Sequence, residues 1–346
     1  MKKYFFLIFV LVSSVHAKTF EYGDYITNVS GFVNYTYSTN STIVPQNEYS
    51  AVINTTISNQ IGYISGQFSN NKFNPIRRLL VNVPVYVNGC NELDLSFGRL
   101  TNSIGFINTN LRNSQVNGSV LFPLSTYDPR RYTNFPDITD GGQISYSANL
   151  SHINIKIKSY LGKQVLDDPK IDVYGSHFSL YGKSDIMYGF DIKAVYENKT
   201  TFHYNFTDNT GTATYTDPRY FINIIDKNLT QQIHFLGVEH YIDDVKIQGE
   251  ATFRKLNTVS SVFGGNVSAS YNFTGKWDFY TGVSYGVRTN GTSRMVDVYA
   301  GISDTIQDVT MTLELHRAKL DNWFFEFDQP EHKTLPIALF SVTYSF

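Results

Sequence analysis

The chain has 346 residues, with 28 Lys and Arg against 30 Asp and Glu and a single cysteine, Cys90. A formal charge of −2 with no basic stripe argues against a nucleic-acid partner, and one cysteine excludes an internal disulfide and a cysteine metal cluster. Aromatic residues reach 15% while mean hydropathy is only −0.22, and no apolar run beyond the first residues approaches the roughly 20 that a membrane-spanning helix needs.

That combination is odd for a soluble globular protein. It is expected of a barrel whose alternate strand residues face lipid and whose aromatics collect at the two interfaces. At the N-terminus, Met1-Lys2-Lys3 is a short positive region, residues 4–12 are uninterruptedly apolar, and Ser13-Ser14-Val15-His16-Ala17 offers a small residue for cleavage. This is the layout of a secretory signal peptide over residues 1–17, too short for a membrane helix. Residues 18–346 then form one unit, because no linker, charge block or composition shift interrupts them.

Taken in chain order, strands are expected at 28–38, 47–58, 60–69, 92–99, 142–150, 152–162, 171–182, 185–196, 200–207, 231–242, 244–255, 264–273, 276–288, 294–303, 308–318 and 336–346. Each has one apolar and one hydrated face, the period-two pattern of a strand. Ile153, Ile155 and Ile157 oppose Asn154, Lys156 and Lys158. Val245, Ile247, Ala251 and Phe253 oppose Lys246, Gln248, Thr252 and Arg254. Trp277, Phe279, Val283 and Tyr285 oppose Asp278, Ser284 and Arg288, and Val309, Met311, Leu313 and Leu315 oppose Thr310, Thr312, Glu314 and His316. The fold class is therefore all-β, a transmembrane antiparallel up-and-down barrel of about 16 strands (14 to 18), enough to enclose a water-filled channel.

The last strand is the sharpest signal. Phe340, Val342, Tyr344 and Phe346 alternate with Ser341, Thr343 and Ser345, and the chain ends on the aromatic. With Phe346 at one rim, 304–307, 274–275 and 243 are short turns at that end, and 319–335, 289–293, 256–263 and 208–230 are longer loops at the other. Further back the alternation of ends fails: 183–184 and 197–199 both look short, and 100–141 falls on the wrong side. Arg77 and Arg78 fall in a 70–91 loop beside Pro75 and Pro84. They read as surface charge, with lipopolysaccharide phosphate or the pore mouth as alternatives.

The 100–141 loop carries Pro123, Pro129 and Pro136 together with aromatics and charges, and a loop of this length in a compact fold is usually functional or disordered. The strand ending Leu95-Ser96-Phe97-Gly98-Arg99 before it, Tyr146 after Gly141-Gly142, and the segments Phe235-Leu236-Gly237-Val238-Glu239 and Gly249-Glu250-Ala251-Thr252-Phe253-Arg254 resemble the Gram-negative outer-membrane porins. The ending on Phe346 resembles the C-terminal signal read by the barrel-assembly machinery. The resemblance implies a homotrimer in outer-membrane lipid and lipopolysaccharide, passing small hydrophilic solutes and ions. It also implies that the 100–141 loop folds inward and narrows the pore.

On that reading Arg99, Arg112, Arg130 and Arg131 form a positive side of the constriction, Asp128, Asp137 and Asp140 a negative side, and Lys156, Lys158 and Arg288 contribute from the wall, setting ion preference by electrostatics. Strict alternation places Arg99 on the lipid side with Leu93, Leu95 and Phe97; a bulge at Gly98 would re-aim it. A substrate-selective channel, an adhesin or surface receptor, and an outer-membrane hydrolase are the alternatives. No linear enzyme motif supports the last. Gly282-Val283-Ser284-Tyr285-Gly286 matches G-x-S-x-G, but lies inside an alternating strand instead of at a strand-to-helix turn. The eight histidines show no paired metal spacing, so neither metal nor cofactor is expected. Asn-x-Ser/Thr triplets such as Asn34-Tyr35-Thr36 fall inside expected strands and read as composition, not glycosylation sites.

Overall fold

The computed structural model of the chain describes residues 18–39, 47–69, 76–101, 106, 138–164, 170–172, 179–217, 222–257, 261–273, 277–289, 294–321 and 332–346. The expected signal peptide, residues 1–17, lies outside them. Eighteen strands form one sheet. The first group is β1 (Lys18–Tyr22), β2 (Tyr25–Ser38), β3 (Asn47–Asn59), β4 (Gly62–Ser69), β5 (Ile76–Asn88) and β6 (Asn91–Thr101). The second is β7 (Ile138–Leu150), β8 (Ile153–Gln164), β9 (Lys170–Asp172), β10 (Ser179–Tyr196), β11 (Thr200–Asp217) and β12 (Ile222–Ile242). The third is β13 (Val245–Leu256), β14 (Val262–Phe273), β15 (Trp277–Arg288), β16 (Arg294–Ile306), β17 (Val309–Asp321) and β18 (His332–Ser345).

The wall is a closed antiparallel barrel of 16 strands. Each strand pairs with its sequence neighbour, β8 pairs with β10, and β18 returns to β2 through Leu339↔Ser38 to Ser345↔Phe32. Phe346 seals the seam: its N–H donates to the Gly31 carbonyl at 2.9 Å, and the Gly31 N–H donates to the Phe346 carbonyl at 2.7 Å. Closure joins the first and last wall strands, so the sixteen-strand wall ends in no free strand. The two short strands extend this wall. β1 pairs with the lower part of β2, where β18 has ended, and β9 pairs with the upper part of β10, where β8 has ended.

Tight turns collect at the end of the barrel that carries Phe346, at 23–24, 60–61, 89–90, 151–152, 197–199, 243–244 and 307–308. Several turn residues take the left-handed backbone that a two-residue hairpin turn requires, among them Asp243 (φ 51°) and Gln307 (φ 55°). Segments 40–46, 70–75, 102–137, 218–221 and 322–331 all connect strands at the opposite end.

The packing is inside-out relative to a water-soluble sheet. On β17, Leu315 is 57% exposed on the outer face while neighbouring Glu314 is fully buried on the inner one. Phe279, Val283 and Leu313 share the outer face; Ser284, Asp297 and Thr312 share the inner. In water, outward apolar side chains would be a large unpaired hydrophobic surface; against lipid they are satisfied.

The expected 208–230 loop is mostly strand, because β11 runs on to Asp217 and β12 starts at Ile222, and two further expected elements are corrected. The 70–91 stretch is not a loop: β5 runs through it, so Arg77 and Arg78 sit on a strand. Likewise 171–182 and 185–196 are not two strands joined at 183–184, because β10 runs from 179 to 196. The physical cause is the same in both. A bulge shifts the register between Pro84 and Tyr86 on β5 and between Ser184 and Ile186 on β10, and one extra residue inverts the alternation that reveals a strand. Pro84, which has no N–H for the ladder, sits beside one of them. One strand missed and one strand split cancel, which is why the expected total of sixteen agrees. With both repaired, every tight turn among the described residues falls at one end.

Candidate solute pathway

Alternation determines which side chains reach the interior, and register aligns them between strands. One inner row runs Glu92, Ser147, Lys156, Lys193, His203 and Gly237 across β6, β7, β8, β10, β11 and β12. It continues through Glu250, Asn266, Ser284 and Asp297 on β13 to β16.

Phe106 is the one described residue between Thr101 and Ile138. It lies inside the barrel against β11 to β13, with β7, β8, β10 and part of β11 between that seat and its own strand β6. Its ring meets Phe235 edge-on at 6.1 Å and tilts over His203 at 5.6 Å, with Ile233 in the same buried cluster. Gly237 makes the seat possible: a Cβ there would stand 2.5 Å from Phe106 Cε2. The Phe106 N–H donates to Glu250 Oε1 at 2.9 Å, which satisfies a backbone donor that burial would otherwise leave costly.

Beside this seat the wall is basic. Lys156 and Lys193 face each other across β8 and β10, exposed to the lumen. One step along, Lys158 faces Asp191. The Asp191 carboxylate holds His203 Nε2 at 2.5 Å, both side chains being almost fully buried.

The far wall is different. On β15 to β17, Tyr280 donates to Glu314 Oε2 at 2.5 Å, His316 Nε2 bonds Glu314 Oε1, and His316 Nδ1 bonds Asp297 Oδ2 at 2.9 Å. Tyr299 stacks on the His316 ring at 5.4 Å and donates to Asn266 Oδ1 at 3.1 Å. The two tyrosines lie flat against glycines: a Cβ on Gly301 would meet Tyr280 Cζ at 2.2 Å, and one on Gly282 would meet Tyr299 Oη at 2.4 Å. Further round, Asn34 Nδ2 donates to Ser341 Oγ and Thr343 Oγ1, both at 2.7 Å, and Thr36 donates to Asn34 Oδ1 at 2.9 Å. Towards the long-loop end the inner face turns apolar, with Met295, Ala318, Leu320, Ile337 and Leu339 buried together.

Of the expected pore residues, Lys156, Lys158 and Arg288 face inward. Arg99 and Asp140 do not, and that expectation is corrected. They pair directly across β6 and β7 on the outer face, where Arg99 grips Asp140 with Nε–Oδ1 at 2.7 Å and Nη2–Oδ2 at 2.8 Å. Its third donor, Nη1, bonds the Ile76 carbonyl at 2.9 Å. Gly98 does take a left-handed backbone (φ 120°), but the β5–β6 register runs through it unbroken, so the phase is not inverted. Arg112, Asp128, Arg130, Arg131 and Asp137 lie outside the described residues.

On β18, Phe340, Val342 and Tyr344 alternate with buried Ser341 and Thr343, and the terminal Phe346 ring packs over Gly31. Ser284, the serine of the G-x-S-x-G match, is buried within β15 and its hydroxyl has no partner among the described residues. Among those residues no group of three His, Cys, Asp or Glu is arranged to hold a metal ion. Phe106 and Gly237 had no signal in the sequence. Lys193 had one: Phe190, Ile192 and Ala194 alternate with Asp191 and Lys193.

An inside-out, sixteen-stranded closed barrel with a polar, charged interior is the fold of the Gram-negative outer-membrane porins. Among solved structures, OmpT of Vibrio cholerae superposes with a TM-score of 0.63 at 12% identity, covering 95% of this chain and 100% of that one. An anion-selective porin from Comamonas acidovorans gives 0.59 at 11% identity, over 93% and 100%. OmpF of Salmonella typhi, in complex with daunomycin, gives 0.59 at 12% identity, over 95% and 100%. No sequence-family model and no curated protein matches the chain. At these identities the likeness is one of fold.

Proposed function

We propose that the chain is an outer-membrane porin, a hydrated channel through which small hydrophilic solutes and ions diffuse passively. The observation that carries this is the inverted wall: apolar side chains outside, and inside it Lys156 and Lys193, exposed and with no partner among the described residues. Residues 1–17 serve as a cleaved export signal, the strand ending at Phe346 as the assembly signal, and the tight-turn end faces the periplasm. The porin neighbours support a homotrimer, since one OmpT structure is described as a trimer form. Arg130 and Arg131 then belong to a pore-narrowing loop whose base is the Phe106 seat.

Single-channel recording of the detergent-purified protein in a planar bilayer tests the reading. Stable conductance steps are expected. A folded barrel, heat-modifiable on gels but silent in the bilayer, would overturn it and favour a receptor, an adhesin or an enzyme.

A further inference from the structure

We propose that Lys156 and Lys193 form an anion-binding station on the lumen wall, giving the pore a preference for small anions such as chloride, carboxylates and inorganic phosphate over cations. The proposal rests on the porin reading, because it needs ions in the lumen.

Residues directly opposite on antiparallel strands hold their Cβ atoms ~5 Å apart, and like charges so placed destabilise a sheet. Here the pair is lysine on lysine, and it is exposed to the lumen. Neither ammonium has a hydrogen-bond or ion-pair partner among the described residues. Two flexible stems carrying three donors each can converge on one small anion between them, and such an anion removes the repulsion.

The surrounding charges leave that role open. Asp191, next on the inner face of β10, is engaged by His203, which is itself the neighbour of Lys193 on β11. Lys158 faces Asp191 one step along β8 and offsets its negative charge. Glu239 on β12 is 3.8 Å from Lys246 on β13, and Glu250 accepts the Phe106 N–H. On β7 the neighbour is uncharged Ser147. The nearest uncommitted carboxylate in the row is Glu92 on β6, two strands from Lys156 or ~10 Å. That is about one Debye length at ordinary salt, so it is largely screened, whereas an ion between the lysines is not. Gly237, where Phe106 sits, is two strands from Lys193 on the other side, again ~10 Å. Anions passing the docked ring therefore pass within reach of the pair.

The test is the reversal potential of the bilayer-inserted protein in a potassium chloride gradient, for wild type, Lys156→Gln, Lys193→Gln and the double variant. A unit charge about 6 Å away in water, screened by ordinary salt, changes chloride and potassium occupancy by about 1.8-fold each, in opposite directions. Each single change is therefore expected to lower the chloride-over-potassium preference by about threefold, and the double by about tenfold. The Lys156→Arg, Lys193→Arg variant is expected to retain the preference, which separates charge from packing. Inorganic phosphate is expected to reduce wild-type conductance and to lose that effect in the double glutamine variant. A conducting wild type that prefers cations, or a preference unmoved by the double change, overturns the station and leaves the porin standing. Absence of conductance in a folded wild type removes both.

Discussion

The inner wall of β8 to β11 and that of β15 to β2 come from the same fold and the same alternation, yet they are finished differently. On the first, Lys156 and Lys193 stand exposed with no partner among the described residues. On the second, Tyr280, Glu314, His316 and Asp297 are buried and bonded to one another, and Asn34, Ser341 and Thr343 form a hydroxyl–amide ladder. A barrel with no solid core must stabilise itself through its wall, and buried polar groups repay their desolvation only when each is satisfied. The β15 to β2 side carries the more extensive network of this kind, and the β8 to β11 side, beside its buried Asp191–His203 pair, leaves Lys156 and Lys193 to the solute.

The largest break in the comparison is expected from Glu314→Ala. It strips the acceptor from both Tyr280 and His316 in a site closed to water, and breaking a buried ionic cluster costs about 3 kcal/mol or more. Lys193→Ala on the exposed side should stay within ~0.5 kcal/mol, as ordinary surface changes do. Urea unfolding from lipid or detergent, followed by tryptophan fluorescence, measures both. Equal losses would mean that the two walls share the structural burden after all.

Phe106→Ala comes next and cuts at the boundary between the two regions. The ring fills a seat made by Phe235, Ile233, His203 and Gly237, so its removal deletes the contact holding the chain to β11–β13 while leaving the wall pairing intact. The expected outcome is a changed and noisier single-channel conductance with little change in barrel unfolding. Unaltered conductance would show that the seat does not govern the pore.

How much of this was legible depended on whether the period of two survived. β13 to β18 keep strict alternation, so Trp277 to Val287 and Val309 to Leu315 could be assigned to the outer face from the sequence, as could Lys156 and Lys158 to the inner. β5 and β10 were misread because bulges at Val85 and Asp185 invert the pattern midway. Leu79, Leu80 and Val81 obscured β5 further, since Leu80 turns inward onto a cluster of Leu100, Tyr160 and Met187 and breaks the expectation of a polar inner face. Arg99 shows the opposite case. Plain alternation placed it outside, and a left-handed glycine beside it invited a correction that the register does not make. The Phe106 seat was beyond reach because it joins a loop phenylalanine to a glycine 131 positions away through closure of the whole barrel, and nothing local marks either residue.

The smallest effect sharpens the comparison most. Glu92 shares the inner row of the lysine pair but stands two strands from Lys156 with Ser147 between. If the basic wall acts through short-range charge, Glu92→Gln should raise anion preference by less than a single lysine change lowers it, because the carboxylate sits about one Debye length away. The Glu92 effect should vanish in molar salt, where the Debye length falls to roughly 3 Å, while a lysine effect acting by direct contact should persist in part. Reversal potentials for the two variants at low and high salt would separate a field spread over the whole wall from a station confined to two residues.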